Sequence, residues 1–257
     1  MKVGFVKTSH GRVHYLRKGV GVPLILMHSN GCSAYEYEHT IPLLAQKYDV
    51  IAWDMPGHGD SEPITRHYTI ADYGEALVEF MNGLSIEKAH IAGSSVGGSI
   101  CAYIGEHHGE RALSLLFIET PTRSSADWEQ DWNIVNKLFG IPTQTAEELS
   151  SRVRGVTPEM LLRWNLDRNK AGTRNMFDVM WAIKEYDIVD ALASVQTPSF
   201  VLFGKTGPVI SGQHNFENQL KDAEIEVMLD CGHFPMLDDP QEFSSRVLSY
   251  LERSSRG

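Results

Sequence analysis

The sequence predicts an α/β fold, a mostly parallel sheet flanked by helices with an inserted helical lid, on three observations. Apolar runs of strand length at 23–27, 49–54, 113–118 and 199–204 are nearly uninterrupted, as strands buried on both faces require. Segments with apolar residues at helical spacing separate them, and strand, helix, strand in this rhythm implies parallel pairing with right-handed crossovers. The chain has 257 residues, 42% of them hydrophobic, enough to bury the core of one such domain.

The elements follow in order. Residues 1–18 alternate around His10-Gly11, with Val3, Phe5, Val13 and Tyr15 as apolar positions, which predicts two antiparallel strands and a turn. The run 23–27 is the third strand and ends in His28-Ser29-Asn30-Gly31. A helix over 35–46 and a fourth strand over 49–54 follow, then the glycine-rich loop Met55-Pro56-Gly57-His58-Gly59-Asp60-Ser61. Helical spacing resumes over 70–84. The stretch Ile91-Ala92-Gly93-Ser94-Ser95-Val96-Gly97-Gly98 comes next, with an apolar run at 89–92 before it and a helix-like run at 99–105 after it. Another buried strand at 113–118 ends in Glu119-Thr120-Pro121-Thr122.

From residue 123 to 192 the pattern turns to polar, helix-favouring segments with large apolar residues and no strand-like run. These residues form the expected lid, and 1–122 with 193–257 form the core. The sheet resumes at 199–204 and 224–229, and a last helix spans 240–252. The final Ser-Ser-Arg-Gly is expected to fray. There is no internal repeat or low-complexity tract.

Composition excludes several function classes. A formal charge of −10 and a pI near 5.5, with no Lys/Arg cluster, argue against nucleic acid as partner. No G-x-G-x-x-G or Walker pattern follows a strand, so a dinucleotide or phosphate site is not expected. Three scattered cysteines, Cys32, Cys101 and Cys231, lack metal-ligand spacing and fit a reducing compartment. No apolar run approaches the roughly 18 residues of a membrane span, and the N-terminus lacks an apolar signal core. A cytoplasmic protein, monomer or homodimer, without metal or organic cofactor, is the expectation.

The chemistry centres on Ser95, inside a G-x-S-x-G pattern. A strand turning sharply into a helix needs small residues two positions either side, because a Cβ there strikes the crossing backbone. Such a turn leaves the serine hydroxyl exposed at its tip.

The order of motifs resembles the α/β-hydrolase family over nearly the whole chain. The matching stretches are His28-Ser29-Asn30-Gly31, Asp54-Met55-Pro56-Gly57-His58-Gly59-Asp60-Ser61, the serine turn, and Asp230-Cys231-Gly232-His233-Phe234-Pro235-Met236-Leu237. The resemblance implies Ser95 as nucleophile and His233 as its base. An alcohol is a poor nucleophile at neutral pH, so it needs an imidazole, and the imidazole needs a carboxylate to fix its tautomer. Most relatives carry that acid as an aspartate shortly before a proline; here the segment is Gly204-Lys205-Thr206-Gly207-Pro208, with glycine in its place. Glu119, at the C-terminal end of the neighbouring strand, is the favoured replacement, with Asp230 and Glu217 as alternatives. A relocated acid, the stretch Glu119-Thr120-Pro121-Thr122 and Trp181 are also similar to zearalenone-type lactonases.

The expected oxyanion donors are the Val96 amide and, from the turn after the third strand, Asn30 or its neighbour Ser29. The lid residues Trp128, Trp132, Met160, Trp164, Met180 and Trp181, together with Phe234, are expected to roof the serine over a largely apolar substrate. A serine hydrolase of a hydrophobic ester, above all a lactone, is the implied activity. Carbon–carbon bond hydrolysis with the same triad, and ligand sensing without turnover, are the rivals.

Overall fold

A computed structural model describes residues 1–254. Eight strands form one sheet: β1 (Lys2–Thr8), β2 (Gly11–Lys18), β3 (Pro23–Met27), β4 (Asp49–Trp53), β5 (Ala89–Ser94), β6 (Ala112–Ile118), β7 (Ser199–Gly204) and β8 (Ala223–Met228). Their order across the sheet is β1-β2-β4-β3-β5-β6-β7-β8. Only β2 runs against its neighbours; every pair from β4 to β8 is parallel. The α/β sheet read from the apolar runs is therefore the sheet observed.

The central strands owe their place to their side chains. All of β4, β5 and β7 is buried, because helices cover both faces and leave no wet side for polar residues to occupy. Alternate residues then feed two cores. Ile25, Ile51, Ile91 and Phe117 join the helix Ile70–Gly83 on one face, whereas Leu24, Val50, Leu116 and Phe200 meet the helix Pro240–Ser254 on the other. Edge strand β1 keeps Val3 and Phe5 exposed, where only one face has a partner.

Two helices differ from the sequence expectation. Residues 35–46 do not form one helix but a 3-10 turn, Ala34–Tyr37, and a single helical turn, Ile41–Leu44. Pro42 is the reason: it has no N–H to donate and its ring crowds the carbonyl four residues earlier, so no α-helix runs through it. The serine helix spans Val96–His107 and so begins three residues earlier than 99. Ser95 itself is the cap, and its backbone switches direction within one residue.

Between β6 and β7 every regular element is a helix: Ser125–Gln130, Trp132–Phe139, Ala146–Ser150, Pro158–Glu185 and Ile188–Ser194. The long segment is two helices meeting at Gly172, whose φ of 74° and ψ of 153° are not helical. Ser254, expected to fray, closes the last helix; the other three residues of that tail lie outside the described residues. Among the described residues no helix is long and apolar enough to cross a membrane.

Candidate active site

Ser95 follows β5 directly and holds φ 54°, ψ −111°, a left-handed conformation that costs a non-glycine residue of order 1–3 kcal/mol. Its neighbours make the turn possible. A Cβ on Gly93 would overlap the Gly97 carbonyl, one on Gly97 would lie 2.9 Å from the Met27 carbonyl oxygen, and one on Gly98 would overlap Thr120 Oγ1. The elbow is tied to the next strand, since the Ser95 amide donates to the Ile118 carbonyl at 2.9 Å.

One residue beyond Ile118, Glu119 also has positive φ, 45°. Its amide continues the ladder by donating to Leu202 O at 2.9 Å, while the side chain is fully buried. One carboxylate oxygen accepts the Gly204 N–H at 2.6 Å; the other stands 3.0 Å from His233 Nδ1. A Cβ on Gly207 would overlap this carboxylate. The space that an aspartate at 207 would need is filled by Glu119.

His233 reaches the site on a loop after β8. Thr206 donates its amide and hydroxyl to Cys231 O at 3.1 and 3.0 Å, and Gly232 N–H donates to Asp238 Oδ2 at 2.8 Å. Phe234 packs edge-on against the imidazole at 5.0 Å. The two alternative acids do not take part: Asp230 and Glu217 are exposed, and Glu217 accepts from Gln213. His28 and His58 are buried structural groups; His28 Nε2 accepts the Met55 N–H at 3.0 Å and its Nδ1 faces Ser29 O.

The turn after β3 sorts the oxyanion candidates. The Ser29 amide donates to Glu36 Oε2 at 3.0 Å, and its hydroxyl lies 3.2 Å from Glu36 Oε1 and 2.9 Å from Ser94 Oγ. That amide is therefore committed elsewhere, which removes Ser29 as an oxyanion donor. Asn30 N–H has no protein acceptor among the described residues, and the Asn30 side chain is anchored to Met176 O at 2.9 Å. Val96 N–H belongs to the first turn of its helix, where amides have no intrahelical acceptor.

Glu36 gives a testable pH dependence. Burial pushes its carboxyl up from 4.5 to about 7, outweighing the bonds from Ser29. The folded state thus holds a proton that the unfolded chain releases near 4.5, and stability falls as pH rises from there towards 7. Glu36→Gln lacks this loss. Its stability relative to the parent should climb by up to about 3 kcal/mol between pH 4.5 and 7.5 in urea unfolding; a flat difference would refute the assignment.

Ser95 and His233 open into one cavity of about 550 Å³, with Ser29, Asn30, Trp128, Val135, Phe139, Met180 and Phe234 among its lining. The cluster His14, Asp54 and Asp60 has metal-ligand spacing, but His14 Nδ1 meets Asp54 at 2.7 Å, the other Asp54 oxygen takes the Ala34 amide, and Asp60 pairs with Lys170.

Residues 22–240 match the family model described as the alpha/beta hydrolase fold. The chain belongs to the α/β-hydrolase fold family. It is similar to the 2-hydroxy-6-oxo-6-(2'-aminophenyl)hexa-2,4-dienoic acid hydrolase of Metapseudomonas resinovorans, 26% identical over 97% of this chain and 90% of that protein. Similarity to the 3-oxoadipate enol-lactonase 1 of Acinetobacter baylyi is 25%, over 86% and 85% of the two chains. In structure it is similar to the enol-lactonase of Burkholderia xenovorans, with a TM-score of 0.83 and 18% identity over 97% and 100% of the chains; this likeness is one of fold.

Four of the lid residues expected over the serine of this α/β-hydrolase stand elsewhere. Trp181 is 42% exposed and packs on Trp132 at 4.6 Å, with Lys184 Nζ over both rings. Neither tryptophan lines the Ser95 cavity. Trp164 is buried between Phe234, at 5.1 Å, and Gln144, to which its Nε1 donates at 2.8 Å. Met160 lines a separate groove with Trp164, Leu162 and Tyr35. Helical spacing marks a face as apolar without saying which neighbour it meets, and these faces meet each other or the outer shell. The cavity surface is mostly apolar, as expected, but Arg123, Arg152 and Arg154 share it with Asp131 and Asp238. Nothing in the sequence distinguished these arginines from ordinary surface residues.

Proposed function

We propose that the protein is a serine hydrolase that opens a carboxylic ester, above all a lactone, through an acyl-enzyme. The observation that carries this reading is the buried Glu119 carboxylate 3.0 Å from His233 Nδ1, behind an imidazole that shares one cavity with Ser95. In this role Glu119 keeps the proton on Nδ1, so Nε2 is free to take the Ser95 proton as Oγ attacks the carbonyl. The oxyanion is received by the Val96 and Asn30 amides, each worth roughly 3–4 kcal/mol in such sites. His233 then returns the proton to the leaving alkoxide and activates water against the acyl-enzyme. A lactone keeps its alcohol tethered, so the helical segment 123–192, acting as a lid, must hold the opened chain aside while water enters.

The acid just after β6, the stretch Glu119-Thr120-Pro121-Thr122 and the glycine at 207 support a relationship to zearalenone-type lactonases in acid placement. A second reading, carbon–carbon bond hydrolysis of a vinylogous diketone, is favoured by the likeness to the Metapseudomonas resinovorans hydrolase. Three buried, unbridged cysteines support a cytoplasmic setting.

The test is labelling of Ser95 by a fluorophosphonate together with steady turnover of 4-nitrophenyl esters. Failure of both sinks the serine hydrolase and favours a ligand-sensing protein. Product analysis on a lactone and on a dienoate diketone separates the two hydrolytic readings, since only the second breaks a C–C bond.

A further inference from the structure

Three arginines reach the Ser95 cavity, and their partners differ. Arg123 is paired with Asp131, and Arg154 donates to the Asp230 carbonyl. Arg152 is different. Among the described residues no carboxylate, carbonyl or hydroxyl accepts a hydrogen bond from its guanidinium, and its Nη1 is buried without a partner. Two aromatic rings hold it instead: its Cζ lies 5.2 Å from the Trp164 centroid and 5.3 Å from that of Phe234. Phe234 in turn touches the His233 imidazole, so the cation sits one ring away from the base.

A guanidinium has five N–H donors, and leaving them unmade away from water is costly. Other charged groups do not relieve it. The Asp238 carboxylate is occupied by the Gly232 and Arg154 amides, and Glu36 by Ser29. Desolvation first, and repulsion from Arg168 second, push the Arg152 pKa down to about 10, which leaves it charged at neutral pH. Arg168 is not a rival for a ligand in the same way, because its Nε and Nη2 donate to the carbonyls of Pro142, Leu138 and Ile141.

We propose that Arg152 is a carboxylate-binding site within the Ser95 cavity, so that the ester or lactone opened there carries a free acid group. The planar fork of an arginine set against two aromatic rings matches the two oxygens of a carboxylate. The acid would be gripped beside Phe234 and the reacting carbonyl delivered towards Ser95. This also accounts for a cluster of arginines around one cavity in a chain whose formal charge is −10.

The inference deepens the proposed hydrolase reading, and its test keeps the two separable. Calorimetry with glutaranilic acid, an amide in place of the ester, and with its neutral primary carboxamide, which offers no ester bond, measures binding without ester turnover. The acid should bind the intact protein at least about tenfold more tightly, the scale of one charged hydrogen-bonding pair. Arg152→Gln should remove that preference and Arg152→Lys should keep part of it, since an ammonium offers charge without the fork. Equal binding of acid and carboxamide to the intact protein, or a preference that survives in Arg152→Gln, overturns the site. If Arg152→Gln fails to fold by circular dichroism, the preference of the intact protein and its decline with added salt decide. Kinetics then separate the readings: with 4-nitrophenyl butanoate and 4-nitrophenyl hydrogen glutarate, turnover of both at equal kcat/KM counts against Arg152 alone. Turnover of neither, with acid binding intact, counts against the Ser95 mechanism alone.

Discussion

Glu119→Gln is expected to lower kcat by roughly 10³- to 10⁴-fold on 4-nitrophenyl esters, with little change in KM. The two carboxylate oxygens serve two donors, the Gly204 N–H at 2.6 Å and His233 Nδ1 at 3.0 Å. Glutamine has one oxygen to give. If it stays on Gly204, the amide NH₂ faces Nδ1 and drives the imidazole proton to Nε2, where it can no longer accept from Ser95. If the amide flips, a donor faces the Gly204 N–H in a fully buried pocket, at a cost of about 1–3 kcal/mol. Either arrangement impairs the base. Turnover within about tenfold of the parent would show that His233 does not depend on this carboxylate, and Glu119→Asp, one methylene shorter, should fall between.

The second large effect concerns the place where the acid is missing. Gly207 does not have a left-handed φ, so its backbone would accept an aspartate; the obstacle is the Glu119 carboxylate that a Cβ there would overlap. Gly207→Asp alone should lose at least about 100-fold in kcat/KM and be destabilised, because it forces two carboxylates into one dry space. Glu119→Gly empties that space and relieves the positive φ of 45°. The pair Glu119→Gly with Gly207→Asp should then recover at least about tenfold over either single variant, a coupling of about 1.4 kcal/mol. No recovery in steady-state kinetics would mean that 119 and 207 are not interchangeable addresses for one acid.

How far the sequence reached differs between elements. Strand positions were legible within a residue or two, because burial on both faces leaves long apolar runs that few other structures require. The serine turn was legible because the overlap of Gly93 with Gly97 is a backbone constraint that only glycine meets. Glu119 could be singled out from a gap, glycine where an acid is usual, combined with the rule that active-site groups collect at the carboxyl ends of parallel strands. The helix over 35–46 failed at Pro42, a local signal that was present and outweighed by apolar spacing. Trp132, Met160, Trp164 and Trp181 failed for a different reason: their burial depends on which helix lies opposite.

The sequence by itself determined the sheet, which follows from an apolar period, and the serine turn, which follows from local sterics; the fold family, and Ser95, His233 and Glu119 as candidates, came from the resemblance of its motifs. Only the tertiary structure decided that the Ser29 amide goes to Glu36, that Trp181 faces outward, and that Arg152 stands in the cavity with no carboxylate of the described residues paired to it. Those outcomes depend on pairs of residues far apart in the chain, such as Arg152 with Phe234 and Glu119 with Gly204. Distance in sequence carries no record of such meetings; packing does.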